Sequence, residues 1–286
     1  MRHPQLSTAD RRARPDGKSP CLVAVAHGSA HPGAAAAFTG LARLTAARAS
    51  RRGVQGLQVR TAYLGHAPPS VAEVLEALSR AAPGRPEARD DTRPAAVVVP
   101  LLLCAAYHSE VDLPALLREA SHRLPRLAIS YGRPLGPHPA LLRALERRLA
   151  EAGVPTTPAE AAETSVVLAA AGSSRPSANA AVARAAAAWR AARGWREVVP
   201  AYVSAAPPSP GQAVAGLLRA GTPRVVVASY LLAPGIFADQ VRRQSLAAGA
   251  HAVSAALGTV PEVADVIVER YLRAEPLPVP TGAAAG

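Results

Sequence analysis

Three histidines of this chain each follow a stretch predicted to be a β-strand. His27 follows a run of small and β-branched apolar residues and directly precedes Gly28 and Ser29. His66 and His108 follow two further runs of this kind. Because ligands bind at the carboxyl ends of the strands in open α/β sheets, we expect the three imidazoles to lie at one edge of a sheet.

Imidazoles without neighbouring thiolates suit a borderline divalent metal such as Fe, Co, Ni or Zn. A closed structural zinc site has four protein ligands, so two or three histidines leave room for a substrate. His27 and His108 are therefore predicted to bind metal and to act as catalytic residues, with His66 as a third candidate metal ligand. An imidazole with a pKa of ~6.5 can also accept a proton near neutral pH. Four further histidines are predicted to be surface residues: His31, His122, His138 and His251.

A phosphate site is the competing interpretation of the turn at His27. Backbone N–H groups at a helix N-terminus can hold an anion, and a predicted helix follows this turn. The glycine spacing matches neither the GxGxxG pattern nor a P-loop. The sequence around His27 therefore does not decide between a metal site and an anion site.

The composition predicts a globular protein whose core is built from small aliphatic residues. Apolar residues make up 49% of the 286 residues and aromatic residues 3%, so Ala, Val and Leu must form the core. The formal net charge of +12 favours an anionic partner. Basic residues are not interleaved with aromatic ones, so no nucleic-acid partner is expected. Residues 95–106 form the longest apolar run, which is too short to span a bilayer at roughly 20 residues per helix.

The two cysteines, Cys21 and Cys104, lie on predicted buried strands and form no CxxC motif. A disulfide framework is therefore not expected, which fits a reducing cytoplasm. Residues 1–19 are polar and basic and contain no apolar core of a secretory signal. We predict a disordered arm there.

Strands alternate with helices along the chain, which predicts βαβ units and parallel sheets. The second half of the chain repeats the first. Residues 165–193 match residues 21–48, and three further pairs of matching segments follow in the same order. We predict an α/β fold of two similar lobes with a cleft between them, each lobe a roughly four-stranded parallel sheet flanked by helices. The predicted segments are an arm (1–19), an N-terminal lobe (20–153), a linker (154–163), a degenerate repeat lobe (164–273) and a flexible tail (274–286).

The repeat differs at all three histidines. Ala171 corresponds to His27, Phe237 to His108, and Ala205 or Ala206 to His66. The second half therefore keeps the frame without the imidazoles. We predict one working site in the first lobe, with the second lobe as a supporting wall.

These residues resemble the sirohydrochlorin chelatase family of class II chelatases over roughly residues 20–273. The resemblance rests on the HGS sequence at His27, on the His-x-x-x-Asp-Leu-Pro motif that begins at His108, and on the LGPHP segment at 135–139. The family often has an acidic residue after the second strand, whereas this chain has Gly65 and His66 there. Ala106 stands in place of the family's usual glycine.

The resemblance implies a cytoplasmic lyase that inserts Co²⁺ or Fe²⁺ into sirohydrochlorin, for cobalamin or sirohaem synthesis. It places the family's two histidines on His27 and His108, and it implies no organic cofactor, since the metal is a substrate. The expected partner is the anionic tetrapyrrole; no nucleic acid or membrane partner is expected, and the protein is predicted to be a monomer or homodimer. Because the substrate has many carboxylates, three arginines are candidate substrate-binding residues: Arg175, Arg242 and Arg243. The small or polar neighbours of the histidines are further candidates: Gly28, Ser29, Ser109 and Glu110.

A non-catalytic homologue that carries metal or tetrapyrrole is the alternative function. The missing acid after Leu64 is the sequence feature that favours it. An unrelated phosphate-site enzyme on a similar sheet is a further alternative, and neither alternative requires a different fold.

Overall fold

The structure is a computed structural model that describes residues 20–65, 67–81, 95–104, 111–155 and 157–277. Four candidate site residues lie outside the described residues: His66, His108, Ser109 and Glu110. The predicted arm, 1–19, lies outside them as well.

The first lobe contains a sheet in the order β2-β1-β3-β4, with all four strands parallel. Its strands and helices are β1 (Cys21–Ala26), α1 (Pro32–Arg51), β2 (Val59–Tyr63), α2 (Val71–Arg80), β3 (Ala95–Pro100), α3 (Leu113–Arg123), β4 (Ala128–Tyr131) and α4 (Pro139–Glu151). The third strand ends at Pro100, so Cys104, which was predicted to lie on a strand, falls outside it. The Leu101 N–H still donates to the Val25 carbonyl (2.7 Å), and the chain then leaves the sheet.

The second lobe repeats this arrangement in the order β6-β5-β7-β8, again with parallel strands. Its elements are β5 (Thr164–Ala170), α6 (Pro176–Arg193), β6 (Glu197–Tyr202), α7 (Pro210–Arg219), β7 (Arg224–Tyr230), α8 (Ile236–Ala247), β8 (Ala252–Val253) and α9 (Pro261–Leu272). A short helix, α5 (Pro158–Glu163), lies within the predicted linker. The predicted two-lobed α/β fold is confirmed.

Both lobes begin their second helix with the same capping box. The Ser70 hydroxyl accepts from the Glu73 N–H (3.2 Å), and the Glu73 carboxylate accepts from the Ser70 N–H (2.7 Å). Ser209 and Gln212 repeat both bonds at 3.3 and 2.8 Å. Reciprocal bonds of this kind satisfy two N–H groups that the first helical turn leaves unpaired. The sequence repeat is therefore a repeat of local structure as well.

The two lobes exchange their last helices. Helix α9 packs against α1 and β3 of the first lobe, and α4 packs against β7 of the second. One continuous apolar cluster, here called the shared core, includes residues of β1, α4, β5 and α9. Polar contacts also join the two lobes: Arg48 Nε on α1 donates to Asp265 Oδ1 on α9 (2.8 Å), and Trp189 Nε1 on α6 donates to Glu146 Oε1 on α4 (2.9 Å).

Two separate apolar clusters cover the outer faces of the sheets. One joins the first sheet to α2 and α3, and the other joins the second sheet to α7 and α8. Each sheet is thus covered on both faces. The fully buried apolar runs of β1 and β5 are the pattern expected of central strands in such a sheet.

After α9 the chain returns to the first sheet. The two-residue strand β9 (Glu275–Pro276) pairs antiparallel with β4, so the first sheet has five strands. This strand lies in the segment predicted as a flexible tail, of which residues 278–286 are outside the described residues. Among the helices that the structure describes, none combines the length and apolar character needed to cross a bilayer.

Candidate functional site

The turn that follows β1 lies at the carboxyl edge of the first sheet, and His27 is exposed there. Its carbonyl oxygen accepts from the Gly65 N–H (3.1 Å), and the Ala26 carbonyl accepts from the Leu64 N–H (3.0 Å). The turns after β1 and β2 are therefore joined by main-chain bonds. This contact fixes the backbone that carries the His27 imidazole.

Gly28 is required by the geometry of this turn. Its φ is +98°, and a Cβ placed on it would lie 1.7 Å from the Gly65 carbonyl oxygen. Gly172 holds the same position in the second lobe, with φ +88° and a Cβ that would lie 1.9 Å from the Ser204 carbonyl oxygen. A side chain fits neither turn, since the left-handed backbone and the close carbonyl both exclude it.

The second lobe confirms which residue replaces His27. The Ser204 N–H donates to the Ala171 carbonyl (3.0 Å), as Gly65 does to His27. Ala171 therefore stands at the position of His27. The same bond makes Ser204 the counterpart of Gly65, so that Ala205 follows at the position of His66.

Ser29 and His31 build the entry to α1. The Ser29 hydroxyl accepts from the His31 N–H (3.1 Å), and His31 Nδ1 accepts from the Gly33 N–H (3.1 Å). His31 is thus the N-cap of α1. His138 caps α4 in the same way, with Nδ1 accepting from the Ala140 N–H (3.1 Å). Both histidines were expected simply as surface residues; the His-Pro pair before an apolar helix is the signal for their capping role.

The neighbouring strands confirm that the chain segments of the three predicted histidines start from one sheet edge. β1 lies between β2 and β3, and Val25 lies level with Ala62 and Pro100. His66 follows Gly65 in sequence, and His108 follows the last described residue of its segment, Cys104. Within the described ranges no three His, Cys, Asp or Glu side chains are grouped as a metal site. The metal-binding roles of the three histidines stay predictions.

Both cysteine thiols have raised pKa values. Burial raises the pKa of the Cys21 thiol to about 11, against a smaller opposing effect of Arg60. Burial also raises the pKa of Cys104, which lines a narrow space between the lobes. Both thiols are therefore protonated at neutral pH, and both are free. Neither thiol is a ready metal ligand in the metal-free chain, because a metal ion would first have to displace its proton.

A segment of the second lobe contacts the turn after β1. The Cβ of Pro234 lies 3.5 Å from a Cβ placed on Gly33, and a Cβ placed on Gly235 would lie 3.5 Å from the Ser29 hydroxyl. The chain that leaves β7 therefore packs directly beside Ser29. The second lobe thus contacts the turn two residues after His27, and its role as a wall of the site stays a prediction.

The three candidate arginines lie in two different places. Arg175 is the N-cap residue of α6, directly after the turn that leaves β5, and its N–H donates to the Ser173 hydroxyl (3.1 Å). Arg242 and Arg243 are exposed on the second turn of α8. Arg242 lines a cavity of about 530 Å³ together with Arg148 and His251, none of which belongs to the turn at His27. Their substrate-binding roles, like those of Gly28 and Ser29, stay predictions.

Comparison with known proteins gives relatives in both sequence and structure. The chain is 32% identical over 141 residues to the sirohydrochlorin cobaltochelatase of Priestia megaterium, covering 49% of this chain and 45% of that relative. It is 29% identical over 177 residues to the sirohydrochlorin ferrochelatase of Bacillus subtilis strain 168, covering 60% and 66%. The chain thus spans about half the length of the first curated relative and just under two thirds of the second.

Two solved structures share the fold. SirB from Bacillus subtilis with Fe³⁺ superposes with a TM-score of 0.69 at 24% identity, covering 88% of this chain and 93% of that one. The structure of CbiX, the terminal enzyme for biosynthesis of siroheme in denitrifying bacteria, gives a TM-score of 0.58 at 24% identity, covering 87% and 96%. The CbiX family model matches residues 21–152 and 165–274, one segment in each lobe. The resemblance to the sirohydrochlorin chelatases is confirmed by these matches, and the chain belongs to the CbiX family.

Proposed function

We propose that this chain inserts a divalent metal, Co²⁺ or Fe²⁺, into sirohydrochlorin as a step of cobalamin or sirohaem biosynthesis. The observation that carries the proposal is the position of His27, which is exposed at the carboxyl edge of the first sheet. Both lobes of the chain match the CbiX family model. The curated relatives act on sirohydrochlorin by name, one with cobalt and one with iron. Imidazole accepts both metals, so the ligand type does not select between them.

The reaction exchanges one metal ion for two protons. The two pyrrole N–H protons leave the macrocycle, and the four ring nitrogens bind the M²⁺ ion in their place. The metal ligands must therefore release the ion once the ring holds it, which neutral imidazoles do more readily than thiolates. In the proposed mechanism His27 and His108 hold the ion beside the ring. Once the ring nitrogens have taken the ion, each released imidazole accepts one of the two departing protons and passes it to solvent.

The backbone around His27 supports this role. The main-chain bonds to Gly65 and the tight turn at Gly28 fix the Cα of His27 while its side chain remains exposed. A fixed ligand lowers the entropy lost when ion and macrocycle meet in the correct geometry. His66, which follows Gly65 directly, is the candidate for a third ligand in place of the acid that the family often has there.

We also propose a cytoplasmic location. Two free cysteines with buried or partly buried thiols suit a reducing compartment. The tetrapyrrole is the proposed partner, and no organic cofactor takes part in the proposed reaction. The predicted segment boundaries are compatible with the matched ranges of the family and stay proposals.

An anaerobic absorbance assay tests the proposal with the purified full chain, sirohydrochlorin and either Co²⁺ or Fe²⁺. We expect insertion well above the rate without protein, with several turnovers per chain. A rate equal to that without protein would reject the chelatase function. Tight binding of metal or tetrapyrrole with no turnover would instead identify the carrier that is the alternative function.

A further inference from the structure

Two apolar side chains are exposed where the second lobe contacts the turn at His27. Ile236 is 73% exposed and Phe237 is 42% exposed, and they form the first two residues of α8. The chain has only two phenylalanines, and the other, Phe38, is buried against Tyr63. Single exposed apolar residues are common, whereas an adjacent pair beside a candidate site is a candidate for contact with a ligand.

The contact between the lobes brings this pair close to His27. Gly235 lies against the Ser29 hydroxyl, at 3.5 Å from a Cβ placed on the glycine. Two residues of chain span at most about 7 Å. The Cα atom of His27 therefore lies within about 7 Å of that of Ser29, and the Cα atom of Phe237 within about 7 Å of that of Gly235. The exposed pair therefore lies beside the turn that carries His27.

The repeat explains why the second lobe has apolar residues at this place. Pro100 lies level with Val25 in β1, and Ser229 lies level with the equivalent residue Ala169 in β5. The same count of residues from these two positions leads to His108 in the first lobe and Phe237 in the second. One lobe therefore places a predicted metal ligand there, whereas the other places an exposed aromatic ring.

A basic residue follows the carboxyl edge of the same sheet. Arg175 follows β5, the strand that pairs with β7, and both strands end at the same edge of the second sheet. A tetrapyrrole has apolar ring faces and anionic carboxylates at its periphery. An aromatic ring and an aliphatic chain suit the faces, and a guanidinium suits the carboxylates.

We propose that Ile236 and Phe237 form an apolar contact for one face of the tetrapyrrole and so determine how the macrocycle is oriented toward His27. This inference rests on the proposed function for the identity of the ligand. A second copy of the chain is the other possible occupant of the pair. Two side chains of this size expose at most about 400 Å², however, whereas a stable interface buries roughly 800 Å² on each partner.

Leu246 provides a matched control on the same helix. It is 43% exposed, close to the value for Phe237, but lies near the opposite end of α8. The test is titration of the metal-free chain with sirohydrochlorin, followed by quenching of tetrapyrrole fluorescence. We expect Phe237→Ala to raise Kd about tenfold and Ile236→Ala about threefold, while Leu246→Ala stays within about twofold of wild type. Phe237→Tyr, which keeps an aromatic ring, should restore most of the affinity.

Steady-state kinetics of metal insertion and the oligomeric state of the protein distinguish the possible outcomes. In the insertion assay we expect Phe237→Ala to raise KM with little change in kcat, because the contact is made equally before and during insertion. Wild-type Kd and KM for Phe237→Ala would overturn the inference, as would a change in oligomeric state on size-exclusion chromatography. A wild-type chain that binds tetrapyrrole but inserts no metal would reject the proposed function alone, since the Kd comparison would still test the contact.

Discussion

The His27 carbonyl oxygen accepts a hydrogen bond from the Gly65 N–H at 3.1 Å, and this bond joins the turns after two neighbouring parallel strands. A Cβ placed on Gly28, the residue after His27, would lie 1.7 Å from the carbonyl oxygen of Gly65. The backbone that carries His27 therefore depends on a glycine at position 28. This relationship makes a substitution at that position informative about both stability and activity.

Gly28→Ala is expected to lower the free energy of unfolding by at least about 2 kcal/mol, because it adds a steric clash to a left-handed backbone. Urea unfolding measures the change. Gly53→Ala is the matched control, since φ is +82° there but nothing lies within 4 Å of a Cβ. The control should lose only about 1 kcal/mol. Equal losses for both variants would show that the clash with Gly65 does not occur.

His27→Ala and His108→Ala are each expected to lower kcat/KM for metal insertion at least ~100-fold, since each removes a group that holds the ion or accepts a proton. The anaerobic absorbance assay measures this loss. The double variant should be little worse than either single variant, because the two residues act as a unit. Retention of most of the wild-type rate by His27→Ala would refute the assigned mechanism.

The controls for these variants separate catalysis from folding. His27 and His122 are both exposed, so neither substitution by alanine should shift Tm by more than a few degrees. His122→Ala should also keep the wild-type insertion rate. For His66→Ala we expect a partial loss of about tenfold, in line with one supporting ligand or proton acceptor. A wild-type rate would remove His66 from the site.

Arg175→Ala is expected to raise the KM for sirohydrochlorin about tenfold with little change in kcat, as for loss of one charged hydrogen bond to a bound carboxylate. Arg242→Ala and Arg243→Ala should raise KM less, because these residues lie further along α8 from the sheet edge. Steady-state kinetics at constant ionic strength compare the three. A larger effect of Arg242 would move the carboxylate contact to the cavity that it lines with Arg148.

Stability is expected to fall below about pH 6.5 because of His138. Burial lowers the pKa of His138 below its usual value of 6.5, outweighing the opposing effect of Glu269, whose carboxylate lies 3.3 Å from Nε2. The unfolded chain then binds more protons than the folded chain, so the contribution is present above pH 6.5 and is lost as the pH falls through the folded pKa.

His138→Asn tests this dependence, because asparagine also caps helices but does not titrate. Urea midpoints between pH 5 and 7 should vary less with pH for this variant than for wild type. His122→Asn, at an exposed position, should leave the profile unchanged. Parallel profiles for wild type and His138→Asn would contradict the assignment.

The fold was predictable where the sequence pattern is local. Apolar runs and turn residues predict the alternation of strands and helices and the repeat. They also predict that Ala171 is the equivalent of His27 in the second lobe. The exchange of α4 and α9 was not predictable, because an apolar helix face indicates burial but not which sheet covers it. β9 has two exposed residues and therefore no pattern at all.

The candidate site was predictable only in part for a similar reason. The edge of the sheet and Gly28 follow from strand order and turn chemistry. The capping roles of His31 and His138 were missed because histidine is not among the preferred N-cap residues. Arg242 lines a cavity with Arg148 and His251, a neighbourhood that its place in the sequence does not indicate, and its substrate-binding role stays a prediction.

The exchanged helices limit how the two lobes can move. A hinge opening would separate α4 from β7 and α9 from β3, and so expose shared-core side chains such as Leu145, Leu149 and Ile267, which are at most 1% exposed. Exposing each of them costs about 1.5–3 kcal/mol, so the two sheets keep a nearly constant separation. Under the proposed function, a planar substrate therefore reaches the exposed His27 without a hinge motion of the two lobes.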